Sequence, residues 1–192
     1  MESLMIQKNQ KSSIETIEEE EILISQAKVD AESFGKLYDR YASSVFRYIL
    51  SRTGNTQDAQ DITAQTFLKA LETLPRYHHR GYFSAWLFAI ARNKYIDHFR
   101  RIKKSSAHVL ENETNTEPDI LSTIVNQERL VTLRSIMFSL PEEEQDLLSL
   151  RTVGELSFTE IAEIFNKSED AIKKKYYRLL ARLQSQLEDE NE

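Results

Sequence analysis

Four glycines and three prolines are spread over 192 residues. A chain so poor in turn-forming residues cannot supply the many reversals a strand-rich fold requires, so it is expected to run in long helices. The expected class is all-α. Cysteine is absent, which removes disulfides, thiolate metal sites and cysteine nucleophiles. The opening segment MESLMIQKNQKSS has no basic stretch followed by an apolar core, so no secretory signal is expected there. The most conspicuous apolar run, Ala85 to Ala91, falls far short of the ~20 residues of a membrane span. These features point to a cytoplasmic protein without membrane insertion.

The net charge of −6 and pI near 5.4 would ordinarily argue against a nucleic-acid partner, but the charge is segregated. Residues 1–30 carry −4, residues 31–104 carry +7, residues 105–130 carry −4 and residues 131–192 carry −5. Thirteen of the eighteen aromatic residues also lie within 31–104. A basic, aromatic-rich unit is thus flanked by acidic sequence. The stretch SSAHVLENETNTEPDI at 105–120 is polar and acidic and has no apolar period, as a tether would. The expected organisation is two small helical domains, 20–104 and 128–187, joined by a flexible acidic linker at 105–127. A disordered segment at 1–19 and an acidic tail at 188–192 complete the chain.

Apolar residues recur at three- and four-residue steps through 34–50, and again from Ala59 to Leu74, the period of helices that bury one face. Gly54-Asn55 separates the two stretches and Pro75 ends the second. A further helix is predicted from about Ser84, its expected N-cap, to Lys103, with Trp86 and Phe99 in the core. In the second domain Leu140-Pro141 and three glutamates read as a helix start, and Gly154 ends that helix. Ser157 and Glu160 form a capping box. Small Ala162, then Asn166 at a left-handed turn, then apolar Ile172 give the spacing of a helix-turn-helix. Ser168 caps its second helix, where Ile172, Leu179, Leu183 and Leu187 form a buried stripe. Lys173, Lys174, Lys175, Arg178 and Arg182 are left for solvent or phosphate. A helical hairpin with a solvated lysine-rich face is the plainer alternative.

Taken together, these segments resemble the extracytoplasmic-function (ECF) group of bacterial RNA polymerase sigma factors, of the sigma-70 family. The resemblance covers about residues 20–187. It rests on Phe34-x-x-Leu37-Tyr38-x-x-Tyr41, on the run from Asp58 to Leu71, and on Ala85 to Asn93 continuing into Tyr95 to Arg101. In the second domain it rests on Leu140-Pro141, Ser157-Phe158-x-Glu160-Ile161-Ala162-Glu163-Ile164 and Ser168-Glu169. The departures are Ala171-Ile172-Lys173, where the group tends to have Thr-Val-Lys, and Tyr176-Tyr177 and Leu180.

The resemblance implies an initiation factor. Asp58, Asp61, Gln65 and Phe67 would dock on the clamp helices of core RNA polymerase. Arg76, Arg80, Tyr82, Arg92, Asn93, Lys94, Tyr95, Arg100 and Arg101 would hold the melted minus-ten element of promoter DNA. That role suits basic and aromatic side chains, which track phosphates and stack on unpaired bases. Ser168, Lys173, Lys174, Lys175, Tyr177, Arg178 and Arg182 would read the minus-thirty-five element as duplex. The linker would run toward the RNA exit path. The polymerase flap is a further implied partner, as is an anti-sigma factor, common in the group. Neither catalytic residues, nor a cofactor, nor a metal is expected. Two other functions are open to such a chain. One is a helix-turn-helix regulator acting without core polymerase. The other is a metal-dependent nuclease using Asp58, Asp61, His78 and His79, against which stand scattered histidines and the lack of a helix carrying a ligand pair.

Overall fold

The computed structural model describes residues 18–78, 82–106 and 139–189. Every regular element among them is helical: α1 (18–27), α2 (Ala31–Thr53), α3 (Thr56–Thr73), a 3-10 turn (Leu74–Arg76), α4 (Phe83–Ser106), α5 (Glu142–Thr152), α6 (Phe158–Phe165) and α7 (Glu169–Asp189). The linker from residue 107 onward, residues 128–138, Arg80 and His79 lie outside the described residues, as does the Leu187 side chain.

Local sequence sets the helix boundaries. Asp30 caps α2, its carboxylate accepting from Ser33 N–H at 2.7 Å. Gly54 closes α2 in the left-handed region at φ 65°, where an L side chain would be strained. The next residue, Asn55, caps α3 through Asp58 N–H at 2.9 Å. Two residues therefore end one helix and begin the next, so α2 and α3 fold back on each other.

Helices α2, α3 and α4 pack pairwise around a core that includes Leu37, Tyr48, Ile49, Ile62, Leu74, Leu87 and Phe88. In the second domain the capping box forms as its sequence predicts: Ser157 Oγ accepts from Glu160 N–H, and Glu160 accepts from Ser157 N–H at 2.6 Å. Asn166 adopts φ 51° and ψ 50°, and Ala171 N–H donates to Ser168 Oγ at 3.3 Å. Ile172, Leu179 and Leu183 are buried. The helix-turn-helix is α6–turn–α7.

The two domains close on each other. Helix α6 packs on α4 and α5 on α2, so Leu147, Leu150, Leu156, Ile161 and Ile172 share one apolar cluster with the first domain. Gly154 lies at a close approach: a Cβ there would lie 2.8 Å from Leu150 O of its own domain and 3.0 Å from Phe88 Cε1 across the interface.

Three local expectations are corrected. Ser84 is the second residue of α4 rather than its cap, and its hydroxyl donates across the interface to Glu160. Phe99 is 51% exposed rather than core, its ring stacked beside Tyr95 at 6.2 Å. Helix α4 also runs to Ser106, into the segment expected to be tether. Trp86 packs against the core, half-buried.

The α2–α3 junction gives a direct test of the local account. Asn55→Ala should lower stability to urea by about 1 kcal/mol, and Asn55→Gly by only a few tenths. No loss in Asn55→Ala would show that the cap hydrogen bond does not stabilise the junction.

Candidate functional site

Three surfaces collect the residues singled out by the sequence. The first is the outer face of α3. Asp61 is exposed, while Asp58 and Gln65 are half-buried. Asp61 accepts from Gln57 Nε2 at 3.3 Å, and His98 Nε2 lies 3.5 Å from Asp58. Phe67 points the other way: it is 5% exposed and meets the Tyr38 ring edge-on at 4.7 Å. The outer face instead carries Leu68, 58% exposed, and Leu71, 45% exposed. In the sequence Leu71 falls within the apolar recurrence from Ala59 to Leu74, the period of a buried face, and Leu68 is given no role of its own. Asp61, Gln65 and Leu68 follow the four- and three-residue steps of one helix face. The missed signal was a leucine out of phase with the stripe through Ile62, Thr66, Ala70 and Leu74.

The second surface is α4 with the turn before it. Arg76, Tyr82, Asn93, Arg100 and Arg101 are exposed, and Lys94 is half-buried. Tyr95 is 5% exposed, and burial pushes its hydroxyl pKa up; the guanidinium of Arg52 lies 4.9 Å from its ring centroid. Arg92 is half-buried under the second domain. Its Nε donates to Asp146 Oδ2 at 2.7 Å, and its guanidinium lies 5.2 Å from the Phe165 ring centroid. A groove follows α4 at this edge, with Arg92, Ile96, Phe99 and Arg100 on one wall and Glu142 and Phe165 on the other.

Asp146 itself has no exposed surface. Its Oδ1 accepts from the Tyr48 hydroxyl at 3.2 Å and lies 2.9 Å from Arg52 Nε, an ion-pair contact off the hydrogen-bond line. Burial first, and then Asp146, hold the Tyr48 pKa well above its ordinary value, so the phenol remains a donor. Among the described residues, the three groups that meet the carboxylate come from the first domain. Asp146 was not singled out in the sequence; the missed signal is an acid in phase with Ser149 and Leu150 on the buried side.

The third surface is α7, whose cations fall into two sets. Lys173 pairs with Glu169 at 2.5 Å. Lys175 pairs with Glu143 at 2.9 Å, Lys167 pairs with the same carboxylate, and Arg182 pairs with Glu144. The two lysine hydrogen bonds hold Glu143 below the usual carboxylate range. Lys174 and Arg178 are exposed and make no ion pair among the described residues. Tyr177, 60% exposed, stands between them with its ring 6.0 Å from Phe158. Lys174, Tyr177 and Arg178 lie at i, i+3 and i+4 and form one free face. Ser168 lies at the start of the same helix as its cap.

Among the described residues, no three His, Cys, Asp or Glu side chains are grouped to hold a metal ion. No described helix is long and apolar enough to cross a membrane.

Comparison with known proteins places these surfaces in a family. Residues 37–105 match the family model for sigma-70 region 2, and residues 130–183 match that for sigma-70 region 4. The ECF RNA polymerase sigma factor BldN of Streptomyces coelicolor is 35% identical over 177 residues, covering 88% of this chain and 66% of BldN. The RNA polymerase sigma factor YlaC of Bacillus subtilis is 33% identical over 144 residues, covering 71% of this chain and 82% of YlaC. The chain thus spans just under two thirds of BldN and most of YlaC. The fold is also similar to that of the sigma factor RpoE from Bartonella quintana, solved in complex with the anti-sigma factor NepR. That likeness has a TM-score of 0.64 at 20% identity and covers 82% of this chain and 98% of RpoE. Two family regions matched in order, with a helix-turn-helix in the second, lead to one conclusion: the chain belongs to the ECF group of the sigma-70 family of RNA polymerase sigma factors.

Proposed function

We propose that the chain is a promoter-specificity subunit that joins core RNA polymerase, carries it to promoters and holds the melted strand, without catalysing a reaction itself. The observation that carries this reading is the free Lys174–Tyr177–Arg178 face of a helix-turn-helix, in one chain with a basic, aromatic region 2.

In this reading the outer face of α3 docks on the polymerase clamp. Asp58, Asp61 and Gln65 supply polar contacts to a basic partner, Leu68 and Leu71 add apolar ones, and Phe67 positions the helix from beneath. An exposed mix of carboxylates and leucines suits a rim-and-centre contact better than a solvated face. On α7, Lys174 and Arg178 reach phosphate or base edges of the minus-thirty-five duplex and Tyr177 packs between them. Lys173, Lys175 and Arg182 give up internal carboxylates before they add phosphate contacts. Arg76, Arg80, Tyr82, Asn93, Lys94, Arg100 and Arg101 line the path of the minus-ten strand, with Arg92 and Tyr95 at its inner edge. The acidic linker bridges the two regions near the RNA exit path and the flap. An anti-sigma factor is a further partner for such a chain, as RpoE was solved in complex with the anti-sigma factor NepR.

The decisive experiment mixes the purified chain with sigma-free core polymerase and scores promoter-directed transcripts. Transcription from defined start sites is expected. Duplex binding without any effect on core polymerase would favour a free-standing regulator instead. Asp61→Arg should weaken core binding at least about tenfold and leave the affinity of the second domain for duplex unchanged. Lys174→Ala or Arg178→Ala should flatten the salt dependence of promoter binding by a slope of about 0.9 each. Glu143→Gln should have the opposite effect, steepening the slope and raising non-specific duplex affinity as Lys167 and Lys175 are released. An unchanged slope in Glu143→Gln would show that those lysines do not reach phosphate.

A further inference from the structure

The two domains meet at a charge that belongs to one of them and whose partners, among the described residues, lie in the other. Asp146 has no exposed surface, and its partners Arg52, Arg92 and Tyr48 are all in the first domain. Around this carboxylate lie Ser84 bonded to Glu160, Phe88 against Gly154, and Arg92 over Phe165. Tyr82, Trp86 and Ala89 of the α4 side form a small cavity with Glu163 and Ile164 of α6. The second domain therefore sits on the side of α4 that carries Trp86, Ala89 and Arg92. It leaves two other surfaces uncovered: α3 packs chiefly on α2 and α4, and Lys174, Tyr177 and Arg178 remain exposed.

We infer that Asp146 is an internal stand-in for a DNA phosphate: in the closed chain it occupies Arg92 and Arg52, and the minus-ten strand must displace it, opening the two domains. The inference rests on the reading that α4 receives the melted strand. The chemistry is that of like for like. An anionic oxygen pair held by guanidinium and phenol donors is the arrangement a phosphodiester makes with the same groups. Closure takes Arg92 out of the strand path, while the core-docking face, the free face of α7 and the exposed Arg76, Asn93, Arg100 and Arg101 stay open. The closed chain can thus reach polymerase and duplex while its strand-binding edge is still occupied. A buried ion pair suits such a latch. It holds while water is excluded, and both partners are readily hydrated once separated, so it sets the register of closure while the shared apolar residues Leu147, Leu150 and Ile161 supply the cohesion that opening must overcome.

The test uses the full chain and two variants. Asp146→Asn keeps the shape and removes the charge. Ser84→Asp sets a second carboxylate against Glu160 while placing an acid in the first turn of α4, where the helix dipole favours it. Circular dichroism checks that each variant keeps its helices. Small-angle scattering then reads compactness, and fluorescence anisotropy reads binding of a single-stranded minus-ten oligonucleotide. Wild type is expected to be compact. Both variants should be expanded and should bind the oligonucleotide about tenfold more tightly or better, the gain expected when a mostly closed population is released. Variants as compact as wild type would overturn the latch. Expanded variants with unchanged oligonucleotide affinity would overturn the competition between Asp146 and DNA. That result would leave the initiation function standing if wild type still starts transcripts with core polymerase. Failure of wild type to do so would overturn the initiation function, while the compactness data would still decide whether the latch exists.

Discussion

A carboxylate buried without exposed surface is stable only where enough donors converge on it, and the donors of Asp146 come from 54 to 98 residues earlier in the chain. Much of the molecule follows from that requirement. To deliver Arg52 and Tyr48, α2 must run its full length before Gly54 turns it. To deliver Arg92, α4 must cross the end of α2. The second domain then comes close enough that a Cβ at position 154, already too near its own Leu150 carbonyl, would also lie 3.0 Å from the Phe88 ring. Removing one partner of a buried pair typically costs about 3–5 kcal/mol, whereas replacing the pair with apolar groups often costs nothing. The ion pair therefore adds little net cohesion compared with an apolar contact. What it adds is a contact that two different occupants, one protein and one nucleic acid, can satisfy.

Charge organisation extends the same logic to α7. The second domain is acidic overall, yet it presents a cationic face because its carboxylates are spent internally. Glu143 takes up Lys167 and Lys175, Glu144 takes up Arg182, and Glu169 takes up Lys173. Exposed pairs of this kind contribute little to stability. Their larger effect is to narrow the cationic surface to Lys174 and Arg178 with Tyr177 between them, which limits the sequence-independent phosphate attraction that makes basic proteins bind any DNA. An acidic total charge and a specific nucleic-acid partner are then compatible.

The sequence made the helical class legible through its scarcity of glycine and proline, and it made the helix ends legible through their chemistry. Gly54-Asn55, Ser157 with Glu160, Asn166 and Ser168 all act as their side chains dictate, because a cap depends on neighbours within four residues. The departures have a common cause. Ser84 looks like a cap by sequence but is drawn to Glu160, 76 residues away. Leu68 and Leu71 lie outside the stripe that the bundle buries. Phe99 follows the apolar period at a point where α4 has outrun the helices that would cover it. Asp146 follows three glutamates and looks solvated until the first domain is brought beside it. Short-range chemistry was readable; what covers a face once helices and domains have packed was not.

The chain has no native cysteine, so a pair of spin labels can be placed at will. Labels at Glu32→Cys on α2 and Ser185→Cys on α7, both exposed, would report the distance between the domains in the full chain. A closed free chain gives one narrow, short distance distribution, which moves to a longer one when core polymerase and promoter DNA are added. A broad distribution in the free chain, unaltered by polymerase and promoter, would contradict it.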